Sequence, residues 1–257
     1  MDEIQAASSA QFGKQSHRYA SGHILENIDD VKRAAEHITL PTSAEVLDVA
    51  CGAGYTGLHF ARLGHGVTFS DLTPAMLERA REKATAEQLE ARFHCHAAEE
   101  LPYADASFDL VTCRVAPHHF SSPASFIQEV ARVLKPKGFL ILIDGTVPDD
   151  HEEAEAWLHD IEKLRDPSHH RLLTPRAWST LCETHGLLIE QLHLERREQP
   201  DLQWYFETAN TPPANRQEVL KRIATAPRSA RELFEIDEAE GKITWWWSML
   251  TLVAQAE

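Results

Sequence analysis

The stretch EVLDVACGAGYTGLHFARLG, Glu45 to Gly64, decides the fold, and it carries two motifs laid over each other. From Gly52 it reads Gly-x-Gly-x-x-Gly, with Gly52, Gly54 and Gly57, the pattern of a dinucleotide-binding turn. From Asp48 it reads Asp-x-x-x-Gly-x-Gly, which points to a different adenosine ligand. In both, a short apolar strand runs into a glycine turn and a helix follows. Glycines let backbone approach the ligand, and the helix N-terminus offers free N–H groups. An acidic residue some twenty positions on supports either reading, and Asp71 supplies it, placed for ribose hydroxyls.

Asp48 separates the two. A dinucleotide site keeps this strand end apolar, because a carboxylate there would face the pyrophosphate in a partly desolvated site. A cationic ligand reverses the sign. S-adenosylmethionine carries an ammonium and a sulfonium and no phosphate, so an acidic group beside the loop attracts it.

Outward from this stretch the strand–helix rhythm continues. GVTFSD at 66–71, ARFHCHA at 91–97, FDLVTCRV at 108–115 and FLILID at 139–144 read as strands. Thr73-Pro74 opens a helix with Met76, Leu77 and Ala80 inward. PASFIQEVARVL at 123–134 is an amphipathic helix, and residues 22–38 are read as another ahead of the first strand. This alternation predicts an α/β fold: a doubly wound, mostly parallel seven-stranded sheet with helices on both faces. Ligands in such sheets sit at the carboxyl ends of the strands. After Asp144 the rhythm loosens. A helix at 174–186 and strands at 187–196 and 242–255 are expected, the last antiparallel. Residues 1–40 are read as an N-terminal helical cap and 41–257 as the main domain, with helical lid insertions at about 145–172 and 200–241.

The chain has 257 residues, 43% hydrophobic, enough to bury a sizeable core. Its formal charge of −15 disfavours nucleic acid and anionic membranes, whose binding rests on Lys and Arg. No stretch approaches the roughly 20 apolar residues of a membrane span. Cys51, Cys95, Cys113 and Cys182 form no C-x-x-C pair, so reduced thiols in a cytoplasmic protein are expected. A monomer and a homodimer both suit the surface.

Five blocks in order then resemble the class I S-adenosylmethionine-dependent methyltransferases. VLDVACGAG resembles the first motif and FSDLTPAMLERAREK the second segment. AAEELPYADASFDLVTCRVAPHHF resembles the third and fourth, and FIQEVARVLKPKGFLILID the fifth. The nearest subgroup is the ubiquinone/menaquinone-biosynthesis C-methyltransferase-like set. The segment RDPSHHR at 165–171 is similar to one in uncharacterised bacterial members, and it names no substrate. The resemblance implies S-adenosyl-L-methionine as cofactor. It places Asp48, Gly52, Ala53 and Gly54 around the methionyl part and Asp71 on the ribose. It sets Leu72 and Met76 beside the adenine, Ala98 and Glu99 at its edge, and Arg114 and Val115 as backbone at the end of the fourth strand. Tyr19 is placed to close over the methionyl end. One position departs: many relatives have Asp where this chain has Ala97, which leaves the adenine contact to backbone or Glu99, or weakens it.

The implied activity is methyl transfer to a small-molecule acceptor, with O-, N- and C-methylation open. A non-catalytic S-adenosylmethionine-binding protein and a nicotinamide-dependent oxidoreductase are the alternatives. His118 and His119 follow the fourth strand at the carboxyl edge and are the candidate catalytic residues; His169 and His170 are weaker ones. His94 and His96 share one strand face without further converging ligands, so no metal is expected. Trp245 to Trp247 are read as core.

Overall fold

A strand covered on both faces must read as a near-continuous apolar run, and three strands here do so: β1 (Glu45–Val49), β4 (Phe108–Arg114) and, over residues 139–143, β5 (Leu134–Thr146). They form the middle of the sheet in the computed structural model, which describes residues 1–19, 23–199, 201–239 and 242–257. With β2 (Gly66–Asp71), β3 (Ala91–Cys95), β6 (Leu187–Glu198) and β9 (Trp246–Ala256), the order is β3-β2-β1-β4-β5-β9-β6. The first five strands pair in parallel. β9 runs antiparallel between β5 and β6. The chain order reverses between β1 and β4, and a crevice opens there at the carboxyl ends. A separate ribbon pairs β7 (Asp237–Ala239) with β8 (Lys242–Thr244).

Alternation along β1 sends Leu47 and Val49 to one face and Val46 to the other. The first face packs against α5 (Pro123–Val133) and α7 (Pro175–Thr184), with Phe126, Ile127 and Trp178 buried. The opposite face packs against α2 (Asp29–Ala35), α3 (Tyr55–Arg62) and α4 (Pro74–Ala86), around Val31, Leu58 and Phe69. A third cluster lies beyond the sheet. There α6 (Glu152–Arg165), α8 (Leu202–Thr208), α9 (Pro213–Ala224) and α10 (Arg228–Leu233) gather Trp157, Tyr205, Val219 and Phe234. No helix among the described residues is long and apolar enough to cross a membrane.

Three local readings change. Residues 22–38 do not form one helix. A 3-10 turn at Ile24–Glu26 precedes α2, and the Asn27 side chain accepts the Asp29 N–H, starting a new helix instead of continuing the turn. Residues 242–255 are two strands, because Trp245 leaves the ladder to pack edge-on against Tyr205 in the third cluster. At the N-terminus, α1 (Glu3–Gln15) has no apolar stripe to betray it. Its one sequence sign is a capping box, in which the Asp2 side chain accepts from Gln5 N–H and the Gln5 side chain accepts from Asp2 N–H.

Gly57 shows how closely helix and sheet approach. A Cβ there would lie 2.3 Å from the Phe69 ring and 3.0 Å from Asp48 Oδ2. Gly57→Ala is expected to destabilise by roughly 1–3 kcal/mol through overpacking. Gly13, inside α1, has only a methyl group at 3.9 Å, so Gly13→Ala is expected to stabilise by roughly 0.5–1 kcal/mol. Chemical denaturation of the two variants checks both signs.

Candidate active site

The loop after β1 is built from left-handed residues: Ala50, Gly52 and Gly54 all have positive φ, at 50°, 54° and 83°. This turns the chain sharply out of β1 into α3 and leaves bare backbone facing the crevice, where a Cβ on Gly52 would meet nothing within 4 Å. Two carboxylates hold the loop. Asp71, at the end of β2, accepts from Gly52 N–H at 2.9 Å and from Thr73 N–H at 2.7 Å. Burial raises its pKa, while those two amides oppose the rise. Asp48 is 1% exposed. It accepts from Gly57 N–H at 2.9 Å and from the Thr112 hydroxyl at 2.8 Å. Gly54, the residue before α3, has no side chain to cap the helix; Asp48 reaches across from β1 and does so.

A first cavity opens above this loop. Gly52, Ala53, Asp71, Leu72, Met76 and Ala98 line it. So do Glu99, Arg114, Val115 and His119. Ten of the sequence candidates therefore converge. Asp48 and Gly54 do not reach the wall: Asp48 lies beneath the loop with both oxygens spent inward, and Gly54 is folded against α4, its Cβ position 2.9 Å from the Ala80 Cβ. The side chain of Tyr19 lies outside the described residues. His118 faces a second cavity instead.

The electrostatics of the first cavity are one-sided. Asp71 and Glu99 bring carboxylates. The one guanidinium among its described lining residues, Arg114, is consumed elsewhere. It donates to Leu25 and Asn27 carbonyls at 2.9 and 2.6 Å and pairs with Asp30, both side chains deeply buried. Among the described lining residues no further guanidinium or ammonium faces a pyrophosphate, and a positively charged ligand is favoured. Helix α1, which the expected N-terminal cap at 1–40 did not set apart, forms the roof with Gln5, Ser8 and Phe12. Gln5 donates to Glu99 Oε2 at 3.0 Å, while Ser121 N–H and hydroxyl occupy Glu99 Oε1.

The second cavity lies beside the first, and Phe12, Leu25, Val115 and His119 belong to both walls. Val115 carries the turn between them at φ 53°, a strained setting for a β-branched residue. Just beyond it, His118 Nδ1 meets Asp144 Oδ1 at 2.6 Å, and Asp144 is fully buried. His119 Nδ1 meets the Ser168 carbonyl at 3.0 Å, and its ring stands edge-on to Phe12. Burial and the neighbouring His118 push its pKa down to about 3. His169 is buried against His159, its Nε2 at 3.2 Å from His159 Nδ1. The His170 amide donates to the His118 carbonyl. Among the described residues no His, Cys, Asp and Glu group of three or more converges as a metal site.

A crevice with an acidic floor, a glycine loop at the end of β1 and a ribose-type carboxylate at the end of β2 define an adenosine-binding α/β enzyme. Comparison with known proteins narrows this. Residues 47–142 match the family described as methyltransferase domain. The chain is 30% identical over 224 residues to the uncharacterized methyltransferase YcgJ of Bacillus subtilis, covering 87% of this chain and 88% of that one. The crystal structure of YcgJ superposes with a TM-score of 0.85 at 27% identity, over 90% of this chain and 99% of that chain. Over 119 residues the chain is 39% identical to the demethylmenaquinone methyltransferase of Deinococcus radiodurans, 46% of this chain and 49% of that protein. It is also 38% identical over 103 residues to the ubiquinone biosynthesis O-methyltransferase of Xanthomonas axonopodis pv. citri, 40% of this chain and 43% of that one. The chain belongs to the class I S-adenosylmethionine-dependent methyltransferases, and the oxidoreductase reading of its glycine loop is set aside.

Burial raises the Asp48 pKa from 3.8 to about 7. A carboxyl raised in the folded state stabilises below its unfolded pKa, and that contribution is lost as pH rises through about 7. Asp48→Asn keeps both hydrogen bonds, its amide oxygen accepting from Gly57 and its NH2 donating to Thr112. The variant is expected to gain stability over the wild type between about pH 5 and about pH 8, by at most about 4 kcal/mol. Thermal melts across that range check the sign.

Proposed function

We propose that the first cavity holds S-adenosylmethionine and the second holds a small, partly apolar acceptor. The observation that carries this reading is the shared wall of Phe12, Leu25, Val115 and His119, across which two bound molecules would touch. When bound, the donor supplies a methyl group already activated by its sulfonium. The residues present suit it. Gly52 and Ala53 offer backbone beside the amino-acid end. Asp48 acts from below, by fixing the start of α3. Asp71 keeps lone pairs free for ribose hydroxyls after binding Gly52 and Thr73. Leu72 and Met76 give an apolar slot for adenine, with Ala98 and Glu99 at its edge.

The chain's main tasks are then to align two molecules and exclude water. Helix α1 roofs the donor, consistent with residues 1–40 as a cap. Leu158 and Leu172 of the 145–172 segment and Trp204 of the 200–241 segment wall the acceptor, together with Trp247 of β9. The names of the quinone-pathway relatives favour small-molecule acceptors, and the net charge of −15 disfavours nucleic acid.

Calorimetric titration with S-adenosylmethionine, S-adenosylhomocysteine, NAD and NADP tests the assignment. Both sulfur ligands are expected to bind and neither nicotinamide to do so. Asp71→Ala is expected to weaken binding by about 10- to 100-fold, the loss of one or two charge-assisted hydrogen bonds. Unchanged affinity in that variant overturns the ribose contact.

A further inference from the structure

Two histidines stand at the border of the cavities, and their surroundings give them different chemistry. His118 uses Nδ1 on Asp144 Oδ1 at 2.6 Å. A carboxylate only accepts, so Nδ1 carries the proton and Nε2 keeps its lone pair. No described residue hydrogen-bonds that Nε2, and the ring forms part of the acceptor cavity wall. Asp144 is fully buried, and its Oδ2 has no partner among the described residues. His118 is therefore the group that answers its charge. His119, by contrast, is wedged against Phe12 and bonded to Ser168, too weak a base at neutral pH.

Most charged groups on the acceptor cavity wall are held by other residues, with Glu198 as an exposed carboxylate among them. Arg165 donates to the Tyr205 carbonyl, Glu162 and Thr208 at 3.0, 3.0 and 3.1 Å. Asp166 takes the Ser168 amide and hydroxyl. Arg197 pairs with the buried Asp30, which it shares with Arg114. Aromatic and aliphatic surface from Trp204, Trp247, Leu158, Leu172 and Met249 makes up much of the rest. Such a cavity suits a neutral, largely apolar molecule. A neutral amine attacks with a free lone pair and needs no base; a neutral hydroxyl does need one.

The geometry points to the His118–Asp144 pair as the general base of the transfer, and so to an acceptor bearing a weakly acidic hydroxyl of the phenol class. This rests on the cavity assignment proposed above. The O–H proton passes to His118 Nε2, and its electron pair stays on oxygen. That oxygen forms the new bond to the methyl carbon as the carbon–sulfur bond breaks, with the electron pair retained by sulfur. The products are a methyl ether, S-adenosylhomocysteine and an imidazolium, which then yields its proton to water. Asp144 is a positioning residue: it selects the tautomer and stabilises the imidazolium.

Burial works against a charged His118, but the charge and hydrogen bond of Asp144 prevail and the ring titrates above 6.5. Asp166 and Glu162 act in the same direction. His119 and His169 face the ring from its other sides, at 4.0 and 5.6 Å between centroids.

The test uses the full chain with hydroquinone, which arrives protonated, and 4-nitrophenol, which is ionised at mildly alkaline pH. The wild type is expected to methylate both. His118→Gln is expected to lose about 100-fold or more in kcat/KM on hydroquinone and less than about tenfold on 4-nitrophenol, which needs no base. Neither His118 nor Asp144 lines the donor cavity, so retained S-adenosylmethionine affinity certifies folded variants. A second readout needs no turnover. In the donor-free protein, nitrogen-15 NMR is expected to show His118 protonated at Nδ1 and titrating above its usual pKa, with the pKa falling in Asp144→Asn. Equal losses on the two phenols, methylation of neither despite donor binding, or a pKa indifferent to Asp144→Asn would each overturn the inference. Failure of the wild type to bind the donor would instead overturn the cavity assignment beneath it.

Discussion

The carboxylate of Asp48 is the contact on which the rest of the structure depends. It sits at the end of β1 with almost no exposure, and it holds the first turn of α3 through Gly57 and the neighbouring β4 through Thr112. A left-handed glycine precedes α3 and cannot cap it. Without Asp48 the helix start would present unanswered N–H groups to a buried interface. With it, β1, α3 and β4 are locked in one arrangement. The loop between them is then free to spend its remaining amides on the ligand side.

A second carboxylate completes the frame. Asp71 reaches from β2 to the amide of Gly52, so the loop is gripped from both neighbouring strands. The acidic floor and the diversion of Arg114 to Asp30 give the first cavity its sign. The second cavity is arranged differently: Arg165 is paired with Glu162 and Arg197 with Asp30, and His118, bonded to Asp144 through Nδ1, lies on its wall. The two cavities thus differ in electrostatics as well as in lining. Strained Val115 is the hinge of the wall between them.

Much of the sheet was legible because its strands obey short-range rules. β1, β4 and β5 are apolar runs, glycines and Thr-Pro mark the turns, and the five motif blocks fall in order. Leu72, Met76 and Asp71 line the first cavity because each sits at a strand end or first helical turn, where sequence position nearly determines place. The bounds of helix α1 within the expected N-terminal cap were not legible, since small and polar residues such as Ala6, Ser8 and Gln11 carry no apolar period. The helix is held by side-chain hydrogen bonds, from Gln5 to Glu99 and from Gln11 and Gln15 to the carbonyl of Ala209, and partners nearly 200 positions away leave no local trace. Asp48 was read as a ligand contact for a related reason: its motif is visible, but the direction of its side chain depends on which face of β1 meets α3.

By itself, then, the sequence determined the strand–helix order, the glycine turn, the acidic residues around it and hence the family and its donor. These follow from local propensity and from spacing within single loops. Only the tertiary structure decided that Asp144, on β5, would meet His118 after β4. Only the fold, too, turned His119 away to Ser168 and paired Arg165 with Glu162 and Arg197 with Asp30. Those facts depend on register between strands and on helices packed from distant segments, and no period within one segment encodes them.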